Sequence, residues 1–575
     1  MEDVYEQVVN NAGSLVWKVD EAERVRRFLC LGAERGTHYQ NRAELLMENA
    51  TSIMDMIEHG RGKEVVRLAA SVRGGTFDEY GSHHRNGPAA DAARNAAQDA
   101  SSSSRKRQPS VARCNPALYA LALCARAESD AVAPPTRHSL SRLAYDAFDH
   151  VITHPCQLFQ FMTYVKELQG TGKGWGRSQK SAVCAFYEKQ SARPEQLARI
   201  VTECQQRRGW THKHLLQLAH PRGGKLHPEL DDVLCYATKG YEATMEKRRK
   251  RTQAAAGAAE GEPAARRPRS DRQEPKHVQV LLAAEQLKHT AGAPEEAAAI
   301  LEKTPGLSLP HLPSRLLNHS QVWSALQANM SLAEKLRSLA KMTKEGVFEK
   351  DPKALKGGIC DLVKELTDER KVRKAMSGGE DGAAAPVDAF TILLAHHTYA
   401  RGRGFRGKLA WTPRPTLLDA LDAAFVHAVL AGAEGKKMGI KKMLLAVDVG
   451  TSMEESKMYT SRLSAREAAL CLAYAIAKTE GAKGGLSPSD RVNLVPAGRL
   501  KSLRDVQAMM VSTKPGVTDA AKLFDWARTV KKEEAYDLIV MFTDSETGRK
   551  KWRKKAAAKV ATTAKVPMKA LEDYR

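Results

Sequence analysis

Two kinds of residue constellation in this sequence could do chemistry. The first is a set of oxygen ligands at strand ends: Asp448-x-Gly450-x-Ser452 after the apolar run 443–447, Thr518-Asp519 in a loop, and Asp544-Ser545 closing YDLIVMFTD. Carboxylates and hydroxyls that converge from loops at the carboxyl ends of parallel strands can hold a hard cation such as Mg2+ in an octahedral oxygen shell. The competing reading is structural, because Asp at a strand end is often just the cap of the next helix. The second constellation is a family of basic turns with a tryptophan inside. GKGWGRSQK carries Lys173, Trp175, Arg177 and Lys180; RRGWTHKH carries Arg207, Arg208, Trp210, His212 and Lys213; RGRGFRGKLAW carries Arg401, Arg403, Arg406, Lys408 and Trp411. Arginine and lysine neutralise phosphates, and aromatic rings offer platforms for unpaired bases. Against this stands the plain alternative that the tryptophans anchor helix starts in the core and the cations are merely solvated. His212 follows Thr211 at a predicted helix start, where protonation is disfavoured, so it is expected as a neutral hydrogen-bonding group.

The elements that must position these residues differ between the two ends of the chain. From Asp20 to Gly432 the apolar residues recur at helical spacing, in segments such as PALYALALCARA, CQLFQFMTYVKEL, PEQLARIVTECQQRR and SLAEKLRSLAKM. Short polar turns join them, and no strand signal is visible between Ala43 and Tyr241. Repeated helix pairs of this size predict an α-solenoid of the HEAT type. Two stretches break the pattern: residues 73–112 and residues 246–276 lack core-forming residues and read as disordered insertions. Beyond a basic linker from 436, strands 443–447, 491–497 and 536–544 alternate with helical segments, which predicts a parallel, doubly wound sheet. The expected division is a leader 1–13, a helical module 14–435, an α/β domain 436–547 and a basic tail 548–575.

Composition narrows the partners. Ninety Lys+Arg against 67 Asp+Glu leave a formal charge of +23, which suits a polyanion. The nine cysteines are scattered without a C-x-x-C, which argues against a disulfide framework and against zinc, and for a reducing compartment. No apolar run is long enough for a membrane span, and the acidic, polar N-terminus is not a signal peptide. No Ser/His/Asp order, phosphate loop or H-E-x-x-H motif supports a hydrolase.

The strand-end loops resemble the metal-ion-dependent adhesion site of von Willebrand factor A domains, Asp-x-Ser-x-Ser followed by a Thr and an Asp. The resemblance implies Asp448, Ser452, Thr518 and Asp544 as ligands of Mg2+ or another divalent cation. Gly450 stands where that pattern has its first Ser, which removes one hydroxyl ligand. A typical domain of this type also continues further beyond the position of Asp544, so the sheet is expected to be cut short. A second resemblance spans most of residues 14–547. VWKVDEAERVRRFLCLGAERGTHY, GWGRSQKSAVCAFY, RRGWTHKHLLQLAH, LLNHSQVWSALQANM, FRGKLAW and KKMLLAVDVGTSM fall in the order found in the 60-kDa Ro autoantigen family, a TROVE module followed by a von Willebrand A-like domain.

That resemblance implies a ring of HEAT-like helix pairs that binds small non-coding Y RNAs on its outer surface. It implies that the basic hole takes single-stranded 3′ ends of misfolded RNAs, in RNA quality control and without catalysis. Arg177, Lys180 and His212 fall where the family contacts RNA; Lys173, Arg208 and Lys213 join them on charge alone. A monomer is expected, with exonucleases or other RNA-processing proteins as partners, in the cytoplasm. The basic runs Arg105–Arg107 and Lys247–Arg251 would also suit nuclear import, if they are not simply solvated linker. Telomerase- and vault-associated proteins carry TROVE modules too, so the alternative is a metal-dependent protein-interaction adaptor within a larger ribonucleoprotein.

Overall fold

The computed structural model describes residues 7–9, 15–17, 20–32, 50–72, 114–127, 140–169, 174–189, 193–221, 228–258, 274–290, 293–348, 359–376, 387–404, 408–432, 443–455, 463–480, 500–512, 523, 526, 536 and 538–543. The first expected insertion (73–112), the strand at 491–497 and the tail lie outside these residues.

Helices dominate up to Gly432, and their boundaries follow from local chemistry. The Glu21–Leu31 helix starts at Asp20, whose carboxylate accepts from the Glu23 amide at 2.6 Å, and stops at Gly32 with φ 83°. Val25, Phe28 and Leu29 share one face and are fully buried. Each such side chain contributes roughly 1.5–3 kcal/mol relative to exposure. The Leu332–Lys344 helix begins with a capping box, in which the Ser331 hydroxyl and amide donate to Glu334 and the Glu334 amide donates back to Ser331. Helices pack mainly on others one to four helices away along the chain. Asn115–Arg126 lies on Gly62–Ser71 and Pro155–Gln169, Arg177–Glu188 on His212–Ala219, and Pro194–Glu203 on Lys276–His289. Pro294–Lys303 lies on Ser320–Gln327, and Ala389–Ala400 on Pro415–Gly432. Sequential stacking of this kind is the solenoid arrangement expected from the repeated helix pairs.

Three details depart from the sequence reading. The leader is not featureless, because Gln7–Val9 pairs antiparallel with Leu15–Trp17. A hairpin, Gln206–Arg207 with Trp210–Thr211, interrupts the helices where no strand was expected. The region beginning at 246 starts as helix, since Tyr241–Ala258 runs unbroken through the basic cluster.

The α/β part is built on Met443–Val447, buried along its whole length and paired in parallel with Leu538–Phe542, from Met443↔Leu538 to Val447↔Phe542. The Ala465–Glu480 helix packs on this strand and also on Pro415–Gly432. The latter is the shared wall between the helical module and the α/β part, and it is apolar nearly all round, as a helix covered on several sides must be. Its one deeply placed acid, Asp422, accepts from the Tyr474 hydroxyl at 3.0 Å and from the Leu503 amide at 3.2 Å. Burial pushes the Asp422 carboxyl up despite the nearby Lys478 ammonium. At the rim, Arg504 donates to Asp419 at 2.8 Å.

Candidate nucleic-acid interface

The site is assembled around the hairpin. The Pro194–Glu203 helix ends at Cys204, and the chain turns back through Arg208 (φ 52°) and Gly209 (φ 79°). Positive φ at both central residues of a two-residue loop is the type I′ hairpin turn, whose twist matches the flanking strands. A left-handed arginine costs on the order of 1 kcal/mol, so Arg208 is held at the tip by the turn around it. Arg207 and Arg208 are both exposed. Thr211 then caps the His212–Ala219 helix, its hydroxyl accepting from the His214 amide at 3.1 Å.

His212 faces inward, with 2% of its surface exposed. Its Nε2 lies 2.9 Å from the Cys204 carbonyl and its Nδ1 lies 2.7 Å from the Tyr187 hydroxyl. A carbonyl only accepts, so Nε2 carries the hydrogen and Nδ1 accepts from Tyr187. Burial lowers the His212 pKa to about 4. The ring is neutral, as expected, but chiefly because it is desolvated. It locks the hairpin to the helix behind it.

The first Gly-Trp motif meets the second here. The Trp175 and Trp210 rings, both half-buried, lie 6.0 Å apart at 50°, and Lys166 Nζ sits 6.0 Å above Trp210. Two residues beyond Trp175 the Arg177–Glu188 helix starts, with Gly176 at its N-cap and no side-chain cap. Arg177 and Lys213 are exposed, Lys180 is half-buried, and Lys173 lies outside the described residues. Neither the Arg177–Glu188 nor the His212–Ala219 helix has an acid in its first turn. Pro155–Gln169, which packs on the hairpin, likewise has none, whereas Pro194–Glu203 has Glu195 and Pro228–Lys239 has Glu229 and Asp231. Arg177, Lys180, Arg208 and Lys213 form no salt bridge among the described residues. Two positive helix ends with added cations thus share one surface, an arrangement suited to phosphates.

The third basic turn behaves differently. Trp411 is 9% exposed, stacks on Tyr399 at 6.3 Å and donates to the Tyr399 carbonyl at 3.0 Å, so it is a core anchor. The run Lys247–Arg251 is mostly paired with carboxylates, at half-buried and exposed positions. Lys247 bonds Asp231, and Arg251 donates to Asp232 at 2.9 Å. Arg248 donates to Glu274 at 3.1 Å, and Lys250 pairs with Glu246 at 2.7 Å.

At the other candidate site, Asp448 is 2% exposed. One carboxylate oxygen accepts from the Gly450 amide at 2.7 Å and the other from the Thr543 hydroxyl at 2.8 Å. The side chain of Ser452, and all of Thr518 and Asp544, lie outside the described residues. The described part of the loop therefore offers one carboxylate with an internal donor on each oxygen. Each oxygen has a lone pair beyond that hydrogen bond, so the carboxylate itself is chemically able to ligate a cation.

The cysteine expectation fails at one pair, while Cys114, Cys124, Cys184, Cys235 and Cys471 are thiols. Cys156 and Cys204 are joined as a disulfide with Cα atoms 6.2 Å apart, and a ring nitrogen of His154 lies within 4.8 Å of both sulfurs. Sequence reading missed the pair because its members are 48 positions apart and in no motif.

A stack of helix pairs joined through one wall to a parallel-stranded α/β unit, with basic Gly-Trp turns on the stack, defines a class of helical scaffold with an appended A-type domain. Comparison with known proteins makes this specific. The TROVE domain matches residues 8–377 and the Ro60 vWA domain matches residues 442–575. The chain belongs to the Ro60 family. RNA-binding protein RO60 of Caenorhabditis elegans is 28% identical over 94% of this chain and 80% of its own. RNA-binding protein RO60 of Deinococcus radiodurans is 25% identical over 94% and 83%. The crystal structure of the Deinococcus radiodurans RO (RSR) protein superposes with a TM-score of 0.61 at 21% identity, covering 96% of this chain and 90% of that one. This last likeness concerns the fold alone. The Ro60 vWA match runs through the segment expected as a tail.

Proposed function

We propose that this chain is a non-catalytic RNA-binding component of a ribonucleoprotein, gripping structured RNA at the joined Gly-Trp motifs. The observation that carries the reading is the pair of helix starts at Arg177 and His212, which bring cations and no first-turn acids to one surface around Trp175 and Trp210. Arg177, Lys180, Arg208 and Lys213 neutralise phosphates, with Lys173 a further candidate. His212 acts through Tyr187 and the Cys204 carbonyl to fix the hairpin. The names of the two relatives support RNA as the partner. Within this reading the ligands are small non-coding, Y-like RNAs and the single-stranded ends of misfolded RNAs. The role is RNA quality control in the cytoplasm, beside exonucleases or other processing proteins. Among the described residues no helix is long and apolar enough to cross a membrane.

For the alternative, a metal-dependent adaptor, Asp448 is the one implied ligand whose side chain is described. Purification from cells followed by ultraviolet crosslinking and sequencing separates the two. Small structured RNA crosslinked to peptides containing Arg177 or Arg208 is the expected result. Protein partners that are released by EDTA, with no RNA, would refute the proposal.

A further inference from the structure

We propose that Cys156 and Cys204 form a redox-responsive disulfide that sets the RNA-facing hairpin in place; the coupling to RNA rests on the reading given above. The bond links three parts of the site. Cys204 caps the Pro194–Glu203 helix directly before the hairpin, and its carbonyl accepts from His212 Nε2 at 2.9 Å. Cys156 is the second residue of the Pro155–Gln169 helix, which packs on both hairpin strands and sends Lys166 over Trp210. The loop closed by the bond, 156–204, contains Lys173, Trp175, Arg177 and Lys180, and the second motif begins just beyond it. One covalent link therefore constrains both Gly-Trp motifs at once.

The two sulfurs are also placed for exchange. Cys156 is half-buried in the first turn of its helix, while Cys204 is 5% exposed. The contrast is with Cys124 and Cys471, deep thiols whose burial raises their pKa, to about 12 for Cys124. Oxidation begins when the Cys156 thiolate attacks one sulfur of a low-molecular-weight disulfide RSSR. An S–S bond to Cys156 forms and one thiol RSH leaves. The Cys204 thiolate then attacks the Cys156 sulfur, closes the protein disulfide and expels the second RSH. Two electrons and two protons pass from the cysteines to RSSR, and excess thiol runs the sequence backwards from the more accessible sulfur. In the reduced state the hairpin base keeps its hydrogen bond to His212 and loses its tie to the Pro155–Gln169 helix. Binding RNA must then order what the bond had ordered beforehand.

The test uses the full chain, equilibrated in glutathione buffers of graded composition. Differential alkylation with peptide mass spectrometry reads the thiols. Fluorescence anisotropy at fixed salt reads binding of a structured RNA with a single-stranded 3′ tail. Cys156 and Cys204 are expected to be protected together in oxidised buffer and labelled together in reduced buffer. Affinity should fall at least about threefold on reduction. Cys204→Ser, and Cys156→Ser at the half-exposed position, should match the reduced protein and ignore the buffer. Labelling of both cysteines in oxidised buffer overturns the proposal, as does a stoichiometric bound zinc ion on the same residues. Equal affinity in the two redox states, with the bond forming normally, overturns the coupling. Loss of all RNA binding in both states would instead sink the functional reading, and alkylation would still report on the bond.

Discussion

Two basic clusters in this protein look alike in sequence and behave oppositely in the fold. Lys247–Arg251 is the denser run, yet four of its five side chains are answered by carboxylates, Asp231, Asp232, Glu246 and Glu274, and only the exposed Arg249 forms no salt bridge among the described residues. Arg177, Lys180, Arg208 and Lys213 are spread over two motifs, make no salt bridge among the described residues and gather where two helices begin. Charge density therefore does not mark the binding surface; unanswered charge in a held geometry does. The first cluster's cations support a helix, and the second cluster's await a polyanion.

The comparison can be broken most forcefully at Asp232. Its side chain is 1% exposed, with Arg251 at 2.9 Å, His277 Nε2 at 3.5 Å and Arg248 at 3.7 Å. Burial alone would raise its pKa, but the nearby His277 ring, the hydrogen bond from Arg251 and the two guanidinium charges hold it below the usual carboxylate range. Asp232→Ala leaves cations facing one another around a buried position. A loss of roughly 3–5 kcal/mol in urea unfolding is expected, and the folded fraction should bind RNA normally. A loss of RNA affinity in that folded fraction would mean that the internal cluster also serves binding.

A slightly smaller effect concerns pH. The folded His212 pKa of about 4 lies below its unfolded value, so the unfolded state takes up the proton first. Stability is therefore constant above the unfolded pKa near 6.5, falls as pH drops, and levels out below about 4; the shift corresponds to roughly 3 kcal/mol. His396, lowered by burial to about 4, titrates in the same window. Urea melts between pH 7 and 4.5 should show the decline, and His212→Gln should flatten part of it. An unchanged pH profile in that variant would remove His212 from its place as the hairpin lock.

Next comes the surface itself. Arg177→Ala with Lys180→Ala should weaken RNA binding about tenfold, near 1.4 kcal/mol, with an unchanged melting curve. The reverse pattern, lost stability with intact binding, would assign these residues to the fold. Least of all should Lys247→Ala matter. A partly exposed ion pair contributes little, and RNA affinity should move by less than about twofold.

The legibility of the molecule in its sequence divides along similar lines. Helical spacing and the apolar run before Asp448 reveal the stacked helices and the buried strand, because those signals are local. The Gly-Trp motifs are legible as candidates, but their meeting at Trp175 and Trp210 is a tertiary fact. The hairpin escapes detection because its strands are two residues long and PEQLARIVTECQQRR keeps helical spacing past the true end. What stops that helix is Cys204, held by His212 and Cys156 from distant positions. Tyr187, which hydrogen-bonds Nδ1 of His212, carries no signal in its own helix beyond an apolar-face position. Lys247–Arg251 reads as linker because its carboxylate partners at 231, 232 and 274 belong to neighbouring segments. In each case the missing information lies in which chain segments pack together.

The central claim is that unpaired cations at the joined Gly-Trp motifs grip RNA phosphates. The slope of log Kobs against log salt concentration for a tailed, structured RNA tests it most directly. For Arg177→Ala/Lys180→Ala/Arg208→Ala the slope should become shallower by about two to three units, since each lost phosphate contact removes roughly 0.7–0.9. A well-folded triple variant that keeps the wild-type slope and affinity would contradict the account.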